Sequence, residues 1–320
     1  MNNPVFRLAS IVVFILAGFA VVAQPKKIDK LKVTILSTML ADEGVGEWGF
    51  SALIEVDGRK ILFDTGARPE TVLNNAKEMN VDLSGVTEVF ISHTHSDHTG
   101  GLNTLRKTLS VQNPKALSLA RIGEGGFYPR TNNPEFTQFL TKMKTDYEMS
   151  GGKFVTYKNA DEIYPGVWVT GPVPRKNDEK NWSGTGKVAL PNGQVSIDNV
   201  PEDQSLVFNT KDGLVIVSGC GHAGVINTVE YARQIVGPFQ AKTLIGGFHL
   251  FDLSDEKMDW TAEKLKAYGL TEFVGAHCTG INAVFTIQKK LSLDRHHAVV
   301  GAVGASYEYG KGISPGRLAK

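Results

Sequence analysis

Residues 91–101 read ISHTHSDHTGG, and three of the chain's eight histidines, His93, His95 and His98, fall here beside Asp97. They follow the apolar run Val89-Phe90-Ile91, which places them at the end of a buried strand. Imidazole suits zinc, and a carboxylate among imidazoles suits a second cation or an open catalytic position. Using three imidazoles and a carboxylate as core filler would leave several polar groups without partners. The cluster is therefore read as a metal site.

Other residues of the same chemistry lie far along the chain. Cys220 and Cys278 are its two cysteines, and each adjoins a histidine, in Cys220-Gly221-His222 and His277-Cys278. In an oxidising compartment two cysteines suggest a disulfide, but their histidine neighbours argue for something else. His249, in Gly246-Gly247-Phe248-His249-Leu250, ends another strand, where it would ligate or donate to a substrate oxyanion. His296 and His297 read as surface or packing residues. Arg121, Tyr128, Arg130 and Arg175 are positioned in sequence to greet an anionic group on a small-molecule substrate.

These residues need elements to hold them. Strands are expected at Lys32–Thr38, Phe50–Val56, Lys60–Asp64, Thr87–Ser92, Leu206–Asn209, Leu214–Ser218, Lys242–Ile245 and Glu272–Val274. Asp57-Gly58 and Asp212-Gly213 mark two hairpins. Helical spacing runs through Val72–Met79, Leu102–Leu109, Pro134–Tyr147, Val225–Val236, Met258–Tyr268 and Ile281–Leu291. Two hairpin-rich segments, each followed by α/β alternation, predict two similar halves in a four-layer αββα sandwich. The Gly-, Pro- and Asn-rich stretch 121–199 is expected to be an insertion facing the substrate.

Composition excludes some partners. Lys plus Arg number 34 against 33 for Asp plus Glu, so no basic field suggests nucleic acid. Arg7 precedes the uncharged, mostly apolar run Leu8 to Ala23, short for a membrane span of about 20 residues. With Val21-Val22-Ala23 as a cleavage site, residues 1–23 read as a signal peptide, leaving 24–320 as a periplasmic or secreted domain without a membrane span. Nothing in the sequence sets an oligomeric state.

The HTHSDH cluster resembles the H-x-H-x-D-H motif of the metallo-β-lactamase superfamily, and Asp64-Thr65-Gly66 is similar to the turn that supports it. LFDTG, NAKEMNVDLS, ISHTHSDHTGGL, PEDQSLVF, VIVSGCGHAGVINTVEYA, IGGFHL and HCTG further resemble one branch, the dihydropterin–aminobenzene-ribofuranosyl-phosphate synthases. The resemblance implies one zinc on His93, His95 and His222 and a second on Asp97, His98 and His277, with iron or manganese as alternatives. Where superfamily hydrolases carry a bridging aspartate this chain has Cys220, which is included among the ligands as a thiolate that bridges or binds one zinc, the alternative being an inert neighbour. The usual third-motif histidine is replaced by Pro201-Glu202-Asp203-Gln204, so Glu202 or Asp203 is expected to ligate or to support a ligating imidazole.

Zinc lowers the pKa of bound water from about 15.7 to about 7. The expected function is accordingly an exported hydrolase of an ester, amide or phosphoester, with Asp97 and His249 as catalytic groups. The alternatives are a synthase-like transferase joining a pterin diphosphate to an aminobenzene ribotide, a β-lactamase, and a non-catalytic zinc-binding protein. Export weighs against the transferase, because such phosphorylated intermediates are cytosolic.

Overall fold

The computed structural model describes residues 25–182 and 185–319. The leader expected at 1–23 lies outside these residues. The first strands are β1 Leu31–Ser37, β2 Ser51–Val56, β3 Arg59–Phe63, β4 Glu88–Ile91, β5 Leu119–Gly123 and β6 Lys153–Tyr157. Next come β7 Asp161–Tyr164, β8 Val167–Val169, β9 Lys187–Ala189, β10 Val195–Ile197, β11 Ser205–Asn209 and β12 Leu214–Ser218. The last are β13 Ala241–Gly246, β14 Glu272–Gly275, β15 Ala298–Val300, β16 Ser306–Glu308 and β17 Gly312–Ser314. The helices are α1 Thr71–Glu78, α2 Ser96–Thr99, α3 Leu102–Ser110, α4 Pro134–Met149, α5 Val225–Val236, α6 Asp255–Ala267 and α7 Ile281–Leu291.

Hydrogen bonding sorts the strands into two large sheets. One runs β17-β16-β1-β2-β3-β4-β5-β6 and the other β15-β14-β13-β12-β11-β8-β7. Between them lies a core of Phe50, Phe63, Phe90, Phe208, Val217 and Ile245 with their neighbours. The outer face of the first sheet packs Leu62, Val89 and Ala120 on Val72, Leu105 and Leu140 of α1, α3 and α4. The outer face of the second packs Ile216, Leu244 and Phe273 on α5, α6 and α7. This is the expected four-layer αββα sandwich. Strands buried on both faces read as unbroken apolar runs, as Leu214–Ser218 does.

Local chemistry explains the boundaries. Asp57 and Gly58 both hold positive φ, 44° and 81°, the pair of angles a tight type I′ hairpin needs between β2 and β3. Asn133 caps α4 by accepting from the Phe136 N–H, with Pro134 at the first helical position. Ser254 caps α6 in the same way through the Lys257 N–H.

The stretch 121–199, expected as an insertion, is built into both sheets. It supplies β6 to the edge of the first, and β7 and β8 to the second, while β9 and β10 form a separate two-stranded ribbon that Val188 bridges to Arg130. Among the described residues no helix is long and apolar enough to cross a membrane.

Candidate metal centre

In each sheet the parallel strands end on the same edge. The pairs β3–β4 and β4–β5 are parallel in one sheet, as are β12–β13 and β13–β14 in the other. The chemistry-bearing residues follow β4, β12, β13 and β14 directly, in the crevice outside the carboxyl ends of those strands where α/β sheets bind ligands. His98 and His277, 179 residues apart in sequence, thereby come to 3.3 Å between their Nε2 atoms.

Two sets of donors meet there. His93, His95 and His222 have ligand atoms within 4.8 Å of one another, and so do Asp97, His98 and His277. These are the two triads the sequence resemblance implied. Cys220 joins the inner side, its sulfur 3.2 Å from His98 Nε2. Asp97 Oδ2 lies 3.3 Å from His277 Nε2. His249 stands next to His222, ring centroids 4.7 Å apart, and shares a donor group with Cys220 and His222. His296 and His297 are exposed and remote from these groups, as their sequence suggested.

Hydrogen bonds on the far side of the rings fix which nitrogen faces inward. Asp64 accepts from His98 Nδ1 at 2.7 Å, and also from Ser92 N and Oγ. With its own proton given to Asp64, Ser92 Oγ accepts from His93 Nδ1 at 3.0 Å. His222 Nδ1 donates to the Asn181 carbonyl. Each ring therefore turns Nε2 toward the others, an arrangement that second-shell partners impose on metal-binding imidazoles.

The residues present fit a cation. His93 Nε2 and His222 Nε2 are buried without a hydrogen-bond partner among the described residues. Burial, together with neighbouring imidazoles, keeps both rings well below the usual histidine range and hence neutral. Asp97 moves the other way: burial opposes its charge, yet His98 and His277 hold its carboxyl below the usual range. His98 is buried too, but the Asp97 and Asp64 carboxylates push it up to about 9. Neutral lone pairs beside an ionised carboxylate and a sulfur make a borderline-soft donor set. Ligands of a tetrahedral ion with bonds of about 2.1 Å stand about 3.4 Å apart, close to the His98–His277 separation.

Glu202 and Asp203 support the cluster without joining it. Glu202 accepts from Thr94 Oγ1 at 2.6 Å and takes both its oxygens to Arg130 Nη2. Asp203 accepts from the Ala223 N–H beside His222, and burial pushes it up to about 6. The arginines expected to greet an anion all have internal partners, and Arg130 also lines the larger cavity at the cluster. Arg121 pairs with Glu88 at 2.6 Å, Arg130 with Glu202 and Asp198, and Arg175 donates to the Asn199 and Val200 carbonyls. Tyr128 is half-buried and lines neither cavity at the cluster. Besides Arg130, the two cavities are lined by residues the sequence reading did not single out: Trp48, Phe136, Lys180, Trp182 and Phe251.

Two cavities open onto the cluster. One of about 640 Å³ lies between Trp48, His95, Asp97, Asn133 and Phe136. The other, about 340 Å³, lies over His222, His249, His277 and the two cysteines, walled by Trp182 and Phe251. Trp48, His95 and Asp97 border both, so the two spaces meet at the donors.

Comparison with known proteins places this geometry. The family model for anti-Pycsar protein Apyc1 matches residues 33–120. The 7,8-dihydropterin-6-methyl-4-(β-D-ribofuranosyl)-aminobenzene-5'-phosphate synthase of Methanocaldococcus jannaschii is 33% identical over 287 residues, covering 85% of this chain and 96% of that protein. An uncharacterised protein of the same organism is 26% identical, covering 74% of this chain and 85% of its own length. Among solved structures, one described as a metal-dependent hydrolase of the β-lactamase superfamily superposes with a TM-score of 0.65 at 25% identity, covering 86% of this chain and 98% of the other. The metallo-β-lactamase fold protein YhfI from Bacillus subtilis gives 0.53 at 14% identity, covering 88% and 100%.

Proposed function

The chain belongs to the metallo-β-lactamase superfamily and, within it, to the family of the dihydropterin–aminobenzene-ribofuranosyl-phosphate synthase, and we propose that it is a metal-dependent synthase of that kind. Its reaction would join a pterin, carried as its diphosphate, to the amino group of an aminobenzene ribotide. The observation that carries this reading is the match to the synthase across 85% of this chain and 96% of that protein. The hydrolase expected from the sequence is corrected by that same relative, a synthase. Three imidazoles and a carboxylate are shared by the whole fold and do not select hydrolysis.

The two-part cleft suits two reactants, each space falling in or near the range of small-molecule sites, about 300–1,000 Å³. In the reaction a C–N bond forms between the amine and the pterin methylene carbon. The C–O bond to diphosphate breaks, and the amine gives up a proton. His93, His95 and His222 would hold one divalent cation, and Asp97, His98, His277 and Cys220 a second. When bound, such cations supply Lewis acidity toward an anionic leaving group.

The chain's own groups do the rest. Trp48 is half exposed at the junction of the cavities and stacks edge-on to Phe251 at 5.9 Å, a surface on which a flat heterocycle can lie. Lys180 lines the smaller cavity and offers a cation to a diphosphate. His249, whose Nδ1 has no partner among the described residues, is assigned the amine proton, and Asp97 the orientation of the centre. Incubating the metal-loaded protein with both reactants should release diphosphate and yield the joined product by mass spectrometry. His95→Ala should abolish it. No product from the loaded protein, with both reactants shown intact, sinks the synthase reading.

A further inference from the structure

The resemblance that supplied the other ligands gives Cys278 no role, yet its surroundings are those of a ligand. Its sulfur lies 3.2 Å from the Cys220 sulfur. Both residues are buried and unbridged. Their two sulfurs and a His277 nitrogen stand within 4.8 Å of one another. The smaller cavity reaches all three side chains, so a cation in the cleft can approach them.

The backbone around this sulfur is specialised. His249 donates its N–H to Cys278 Sγ at 3.3 Å, the kind of bond that stabilises a metal-held thiolate. His249 and His277 both hold left-handed φ, 48° and 47°. Each such non-glycine residue costs on the order of 1–3 kcal/mol and persists where the surroundings impose it. One precedes Cys278 and the other addresses its sulfur. A thiol packed as a small apolar group needs neither a donated N–H nor a second sulfur at van der Waals contact or closer.

We propose that Cys278 supplies a second thiolate to the cation that Asp97, His98, His277 and Cys220 would hold, closing a face made by His277, Cys220 and Cys278. Two thiolates on one tetrahedral ion, with bonds of about 2.3 Å, stand about 3.8 Å apart, within reach of a small side-chain rotation here. The face selects zinc, cobalt or ferrous iron over magnesium, calcium or manganese, because thiolates prefer the softer ions. This rests on the metal centre proposed above and adds the ligand that sets its preference.

Cobalt(II) loading of the reduced protein tests it without any assay of turnover. The loaded protein should show a near-ultraviolet thiolate-to-cobalt charge-transfer band. Cys278→Ser should keep its cobalt and lose about half of that band, as should Cys220→Ser. A full band in Cys278→Ser with none in Cys220→Ser would assign one thiolate only and overturn the proposal. Cobalt bound with no charge-transfer band overturns it while leaving the histidine centre standing; no cobalt bound at all removes both. Should the variants fail to fold, zinc-edge X-ray absorption on the fully loaded unmutated protein counts sulfur neighbours directly. Two sulfurs per chain support the proposal, and one or none refutes it.

Discussion

Asp64 reaches His98 Nδ1 and both polar atoms of Ser92, and through Ser92 it also sets the proton on His93. One carboxylate thus orients a ring in each donor triad. Asp64→Asn keeps the shape but turns an amide N–H₂ toward one of these donors. Metal affinity should fall by about 10–100-fold, the usual effect of losing a second-shell partner. Calorimetric zinc titration checks this, and unchanged affinity would strip Asp64 of the role. At this scale the sequence was most legible where residue type carries the chemistry. His93, His95, Asp97, His98, His222 and His277 meet as their types and the resemblance implied. The partners of the arginines were not legible, since nothing in a lone loop arginine reveals a buried carboxylate far along the chain, as Glu202 is for Arg130. The site's tryptophans were missed for a similar reason: an aromatic in a loop looks alike whether it covers core or lines a cleft.

Glu202, just ahead of β11, ties the loop after β4 to the approach to α4 through Thr94 and Arg130. Burial opposes its charge, but the Arg130 guanidinium and the Thr94 hydroxyl hold its carboxyl below the usual range. A depressed carboxylate stabilises the fold above its unfolded pKa of about 4.3, and that contribution fades as pH falls through the folded value. Glu202→Gln should therefore cost about 3–5 kcal/mol at pH 7, where it leaves a buried guanidinium short of a partner. The gap to the unmutated protein should narrow below about pH 4.3; urea midpoints across pH 7 to 3 measure it, and a constant gap refutes the linkage. Elements with strong local signals, such as the Asp57-Gly58 hairpin and α4 to α7, stand within a few residues of where periodicity put them. The strands β6 to β8 were hidden in the supposed insertion because β6 and β7 are short and mostly exposed or half-buried, and β8 is a buried apolar triplet too short to read as a strand. Contacts made by distant chain are equally silent in sequence: Glu179 caps α5 by accepting from the Ile226 and Asn227 N–H groups, some 47 residues on.

The two sheets each contribute half of the donors, so a cation held between them joins the halves of the molecule. Ligands that bind only the folded state stabilise it by about 2.7 kcal/mol at a hundredfold excess over Kd. Stripping the protein with a chelator should lower Tm by roughly 5–10 °C, on the basis of about 2–4 °C per kcal/mol for domains of this size. Zinc added back should restore it. A melting curve indifferent to chelator would mean that no cation bridges the sheets. The separation of 179 residues between His98 and His277 also has a bearing on manufacture. Ribosomes add about 5–20 residues per second, so the early histidines wait roughly ten to thirty seconds for their late partners to be synthesised. Until Cys220 and His222 are added, a nascent chain offers only three histidines and Asp97, open to whichever ion is most abundant. Cargo selection must then be settled after release, when the last β-strands close and a wrongly chosen ion can still be exchanged.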